Sequence, residues 1–186
     1  MVVVDAIRKG EQGARVLFHD SELGDRSARR LHPAIPREQG HTIPDIIFLP
    51  NTDMHDLNVA QIAPLTQKQR EIVCIEITHT TDNGVYESLI RPEGSKGKLH
   101  QHARWFCHLV NNGWTVRYYP VPIAHSGLVL NTAAAAMQTC GVTRAAAEKA
   151  VKRIATNALQ YDLKFKKART YIQQKQVPSM GQLEPG

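Results

Sequence analysis

The sequence predicts an α/β fold, a mixed sheet flanked by helices and closed by a long basic helix at its C-terminal end. Three observations carry this. Ile72 to Thr78 is rich in β-branched residues and is the clearest strand signal in the chain. A helical pattern and a second strand pattern follow it, and a strand-helix-strand pass favours a sheet with helices packed on it. From Thr143 to about Gln174 the chain reads as one helix.

The elements follow in order. Ala14 to His19 reads as a strand or the end of a helix, and Asp20 to Gln39, with Pro33 and Pro36, as irregular or briefly helical. Ile43 to Leu49 is a short apolar run between Gly40 and Pro50-Asn51, which marks a strand. Asn51 to Gln69 is polar and holds Pro64, so it reads as a long loop. Asp82-Asn83-Gly84 gives a turn. Lys98 to Asn112 reads as a helix whose buried stripe is Leu99, Ala103, Phe106 and Val110, stopped by Asn111-Asn112-Gly113. Trp114 to Pro120 is a strand, continued by the apolar Val121 to Ala124. Thr132 to Thr139 is a helix with Gly141 as its stop, and Thr143 caps the last helix.

Four segments result. Residues 1–40 form a helical or irregular N-terminal part of the same domain, 41–140 the α/β core, 141–176 the basic helix and 177–186 a disordered tail. The chain is expected to be either whole or excised from a larger protein.

Composition narrows the partners. The chain has 186 residues, 42% hydrophobic and 22% charged, which suits a globular domain with a real core. Lys and Arg outnumber Asp and Glu by 23 to 17, and the pI is about 9.4, so a polyanion is the favoured partner. Between Arg144 and Lys175 nine basic residues face only Glu148 and Asp162, a local charge of +7 against +6 for the whole chain. Lys149, Lys152, Arg153, Lys164, Lys167 and Arg169 stand here as phosphate contacts, and the bland reading is a solvated helix face. No apolar run reaches the roughly 18 residues of a membrane span. Cys74, Cys107 and Cys140 are odd in number and lie in apolar surroundings, so all three read as buried free thiols in a reducing, intracellular compartment.

The chemistry centres on two acids. Pro44-Asp45 opens one strand and Glu76 lies near the end of another. If these strands are neighbours, the carboxylates converge at one end of the sheet, and their repulsion favours a divalent cation between them. Mg2+ suits such a site, because it takes one or two carboxylates and completes its shell with water and substrate phosphate. A solvent-facing glutamate is the plain alternative.

With Ile43-Pro44-Asp45-Ile46-Ile47-Phe48, then Val73-Cys74-Ile75-Glu76-Ile77-Thr78, then a helix ending in Asn111-Asn112-Gly113-Trp114, the chain resembles the PD-(D/E)xK nuclease superfamily. More narrowly it resembles the restriction-like endonuclease domain of site-specific non-LTR retrotransposon reverse transcriptases. Val116 to Ile123, Ser126-Gly127, Ala158 to Tyr161 and Arg169 continue the match, which covers roughly residues 40 to 172. The resemblance implies a restriction-endonuclease-like fold and a Mg2+-dependent DNA nicking activity, with Mn2+ as an alternative metal. It implies Asp45 and Glu76 as catalytic metal ligands, with Ile77 as a third metal ligand. Its partners would be DNA, with RNA as the alternative, and other domains of a larger polyprotein, in the nucleus. The superfamily's usual lysine two residues after the glutamate is Thr78 here, so Lys98, on the following helix, takes the catalytic lysine's place. The later Lys-Tyr pair of the family is Gln101-His102, a departure from the pattern. A non-catalytic nucleic-acid-binding module with the same fold is the competing expectation.

The remaining candidates are weaker. His102 shares a helical face with Lys98 and reads as a surface histidine or a phosphate contact, and Lys96 precedes them as a further phosphate contact. His100 and His102 point about 200° apart on a helix and cannot chelate one ion together. Glu11, Asp20 and Glu22 each fit an additional N-terminal acid, and Asp53 and Asp56 stand in the loop after the first strand.

Overall fold

The computed structural model describes residues 2–10, 15–19, 44–53, 65–85 and 98–176. Helix α1 (Val2–Gly10) precedes strands β1 (Arg15–His19) and β2 (Ile46–Asp53). A 3-10 turn (Gln67–Gln69) leads into β3 (Glu71–Thr80), followed by helix α2 (Lys98–Asn111), strand β4 (Thr115–Ala124), α3 (Asn131–Thr139) and α4 (Arg144–Gln176). The sheet order is β1-β2-β3-β4. β2 is antiparallel to β1 and β3, and β4 is parallel to β3. Parallel neighbours need a long connection, and α2 lies in it. The protein is therefore mixed α/β with a mixed sheet and a long C-terminal helix.

Both faces of the sheet are covered, which explains why β2 and β3 read as continuous apolar runs. Side chains alternate along a strand. Ile47, Leu49, Ile72 and Cys74 pack with Trp105, Phe106 and Leu109 of α2 and with Trp114. Ile46, Phe48, Val73 and Ile75 pack on the other face with α1 (Val3, Val4, Ile7), α3 (Ala133, Ala136, Met137) and α4 (Ala147, Ala150, Ile154). Glu71 ties three strands together away from the candidate site, accepting from Asn51 Nδ2 and pairing with Arg117 Nε, each at 2.7 Å.

Helix ends follow local chemistry. Thr143 Oγ1 accepts from the Ala146 N–H (3.3 Å), the expected N-cap of α4. Gly141, at φ 88°, closes α3: its N–H donates to Gln138 O, and Val142 N–H donates to Met137 O. The same pair of bonds, Gly113 to Val110 and Trp114 to Leu109, closes α2.

Several expectations are corrected. Strand β2 begins at Ile46 and runs to Asp53, three residues past Pro50. Val16 opposes Leu49 but Arg15 opposes Asp53, so residues 50–52 form a bulge, where a residue lacking an N–H costs no ladder bond. The expected turn at Asp82-Asn83-Gly84 is one turn of helix, 82–85. The buried stripe of α2 is His102, Trp105, Phe106 and Leu109, whereas Val110 is 56% exposed. Cys74 and Cys140 are buried as expected, but Cys107 is exposed. Helix α1 was not foreseen as a distinct element. Residues 20–39, Ile43 and 177–186 lie outside the described residues.

Helix α4 has 33 residues, about 50 Å at 1.5 Å per residue. Its first half is anchored by Ala147, Ala150 and Ile154. From Leu163 to Tyr171 every side chain is exposed.

Candidate active site

Antiparallel register sets the site. Ile46 pairs with Ile75, so Asp45, just before β2, stands opposite Glu76. By alternation, both acids belong to the face that carries Ile47, Leu49, Ile72 and Cys74, beneath α2.

The two acids brace each other. The Asp45 N–H donates to Glu76 Oε2 (3.3 Å), and the Ile77 N–H donates to Asp45 Oδ2 (2.6 Å). His102 Nε2 lies 3.2 Å from the same Glu76 oxygen. An ionised carboxylate only accepts, so with Glu76 charged it is Nε2 that donates. Glu76 is 4% exposed and His102 2%. These N–H donors offset the cost of burying negative charge. His102 is therefore a buried partner of Glu76, and the expectation of a surface histidine is corrected. Helical spacing brings it in beside Trp105 and Phe106, which turn the same side of α2 to the sheet.

An aromatic group surrounds the histidine. Its ring centroid lies 5.7 Å from Phe106 and 6.2 Å from Tyr118, and Phe106 and Tyr118 are 5.3 Å apart, all tilted. Tyr118 comes from β4, opposite Cys74. Its hydroxyl is buried without a hydrogen-bond partner among the described residues. Burial, then the charges of Glu76, Cys74 and Asp45, push its phenol well above the ordinary value of 10.0. Tyr118 therefore stays a neutral donor beside the acids. Sequence reading gave it no role, because strand position alone does not reveal which cross-strand neighbours a tyrosine meets.

The donor set is oxygen-rich. A strand residue turns its N–H and C=O to the same side, so the Ile77 carbonyl faces the edge where Asp45 caps its amide. Two carboxylates, one carbonyl and a buried hydroxyl that calls for water fit Mg2+, which keeps several waters. Among the described residues, no group of three or more His, Cys, Asp or Glu is placed to hold a metal ion.

Lys98 is the first residue of α2, and its side chain lies outside the described residues, as do Lys96, Glu11, Asp20, Glu22, Asp56 and the side chain of Asp53. Lys149, Lys152, Arg153, Lys164, Lys167 and Arg169 are all exposed on α4. That helix packs on the sheet face opposite α2, so they are not brought into the carboxylate site. No helix among the described residues is long and apolar enough to cross a membrane.

No protein-family model matches the chain, and neither the curated proteins nor the solved structures contain a significant match to it.

Proposed function

We propose that this chain is a metal-dependent DNA endonuclease domain that nicks one strand, with the restriction-endonuclease-like plan of the PD-(D/E)xK nucleases, working within a retrotransposon-type polyprotein in the nucleus. One observation carries the reading: Asp45, at the entry to β2, and Glu76 on the neighbouring β3, 31 residues apart in sequence, meet at the end of the β2–β3 ladder. Asp45, Glu76 and the Ile77 carbonyl would hold Mg2+ or Mn2+. When bound, the metal would polarise the phosphodiester and lower the pKa of an attacking water.

The chain's own residues supply the rest. His102 fixes the orientation of the Glu76 carboxylate. The Asp45–Ile77 bond fixes the second carboxylate against the strand. Tyr118 keeps its proton and offers a donor to water or phosphate. Lys98 opens the helix that delivers His102 and would stabilise charge on the phosphate. The basic face of α4 adds affinity that is independent of sequence, since phosphate contacts position rather than specify.

The test is nicking of supercoiled plasmid in Mg2+ and in Mn2+. Wild type cuts, Asp45→Ala and Glu76→Ala do not, and Lys98→Ala is slowed. Equal behaviour of wild type and both acid variants overturns the reading.

A specific observation favours a second reading, a non-catalytic nucleic-acid-binding module. Glu76 Oε2 already takes N–H donors from Asp45 and His102. Under this reading no metal supports cleavage, and DNA or RNA binding survives Asp45→Ala.

A further inference from the structure

Helix α4 carries an apolar stripe that outruns the core. Ala147, Ala150 and Ile154 are buried and Ala158 is partly buried against it. Tyr161 and Phe165 continue the stripe at the same three- and four-residue spacing, yet they are 71% and 59% exposed. They border a groove with His125, Asp162, Lys166 and Arg169. Large apolar side chains exposed in a row on one face mark an interaction surface.

Charge selects the occupant. From Leu159 to Tyr171, Lys164, Lys166, Lys167 and Arg169 face Asp162 alone, a net charge of +3. A second copy laid along this helix would set like charges against each other. A polyanion meets the basic side chains, and only one with exposed flat faces also covers the aromatics. Duplex DNA hides its base faces, whereas an unpaired strand presents them.

Position adds to this. Tyr161 and His125 line a second cavity together with Ile77 and His79. Ile77 directly follows Glu76 on β3 but faces α4, so Tyr161 lies across the sheet from the two acids, at the same level along β3 and on its opposite face.

We infer that the projecting half of α4 binds single-stranded nucleic acid, with unpaired bases stacked on Tyr161 and Phe165 and the backbone held by Lys166 and Arg169. Taken with the proposed nuclease function, on which this last step rests, the substrate is DNA with an unpaired stretch beside the point of cleavage.

The test is fluorescence anisotropy of the full chain with a labelled single-stranded oligonucleotide and the matching duplex, in chelator and without metal. Wild type prefers the single strand. Tyr161→Ala and Phe165→Ala each weaken single-strand binding about tenfold and leave duplex binding nearly unchanged, while Tyr161→Phe restores wild-type affinity. Lys166→Gln with Arg169→Gln weakens both and flattens the salt dependence. These side chains lie outside the core, so the variants fold. Single-strand binding indifferent to both aromatics overturns the proposal. So does sedimentation of wild type as a dimer that Phe165→Ala dissociates, or binding of anionic vesicles alone. Cleavage plays no part in this readout, so failure of the nuclease reading leaves it standing, and Asp45-dependent nicking with an inert α4 separates the two the other way.

Discussion

His102 Nε2 and Glu76 Oε2 lie 3.2 Å apart, with both side chains buried. The pair joins α2 to the middle of β3, just past the last β2–β3 pair, so the helix and the candidate metal ligand are positioned together. Removing the histidine takes a donor from a buried carboxylate, which costs about 1–3 kcal/mol. His102→Ala should lose that much or more in urea denaturation, since the ring's packing goes too. His102→Gln, which keeps an N–H donor, should lose distinctly less. Equal losses would show that the contact contributes only packing.

The rotation of α2 is tested by two substitutions. Leu109 is buried between helix and sheet, so Leu109→Ala should cost about 2–5 kcal/mol. Val110→Ser should change stability by less than about 0.5 kcal/mol, because that side chain faces solvent. Denaturation midpoints in guanidinium separate the two directly.

Gly127 and Gly141 both hold positive φ, 84° and 88°. A Cβ on Gly127 would meet Leu159 Cγ at 2.8 Å and the Ala155 carbonyl at 2.9 Å, while one on Gly141 meets nothing within 4 Å. Gly141→Ala should cost only the left-handed conformation, about 1–2 kcal/mol. Gly127→Ala should cost more and loosen α4 from the end of β4, visible as faster amide exchange in residues 155–159. A smaller loss at Gly127 than at Gly141 would contradict the close packing there.

Alkaline pH should destabilise the fold. Burial raises the Cys74 thiol well above its ordinary 9.0, and burial with nearby negative charge raises Tyr118 above 10.0. Both folded groups stay protonated where the unfolded chain ionises. Their contribution is complete below those ordinary values and is lost as pH climbs through them toward the folded values. Stability should therefore fall from about pH 9 upward, and Tyr118→Phe should flatten the part of the decline above pH 10.0. An unchanged slope in that variant would remove Tyr118 from the account.

Thiol labelling checks the cysteine environments. Of the three cysteines, Cys107 alone is exposed. A thiol-specific reagent should modify one group rapidly in native protein and all three in denaturant, with Cys107→Ser abolishing the fast phase. Fast modification in that variant would place Cys74 or Cys140 at the surface.

The sequence by itself determined the elements whose signals are local. β3 was legible because a β-branched run buried on both faces leaves few other readings. The ends of α2 and α3 were legible because Gly113 and Gly141 sit where a helix must stop, and Thr143 because a side-chain oxygen that accepts the first free amides favours a helix start. It also proposed that Asp45 and Glu76 would meet if their strands were neighbours, and register makes them so. Tertiary structure decided what no local pattern contains. Helical periodicity left the facing side of α2 uncertain by about one residue's turn of 100°, and packing of Trp105 and Leu109 against the sheet chose the rotation that buries His102 and exposes Val110. Pro50 ended a strand in sequence terms, but a bulge against β1 absorbs it. Val2 to Val4 argue for a strand by propensity, yet contact with α3 and α4 holds them helical. For α1 and α2 the deciding energy is burial against a partner distant in sequence, and for Pro50 it is the register against β1; both exist only once the chain has folded.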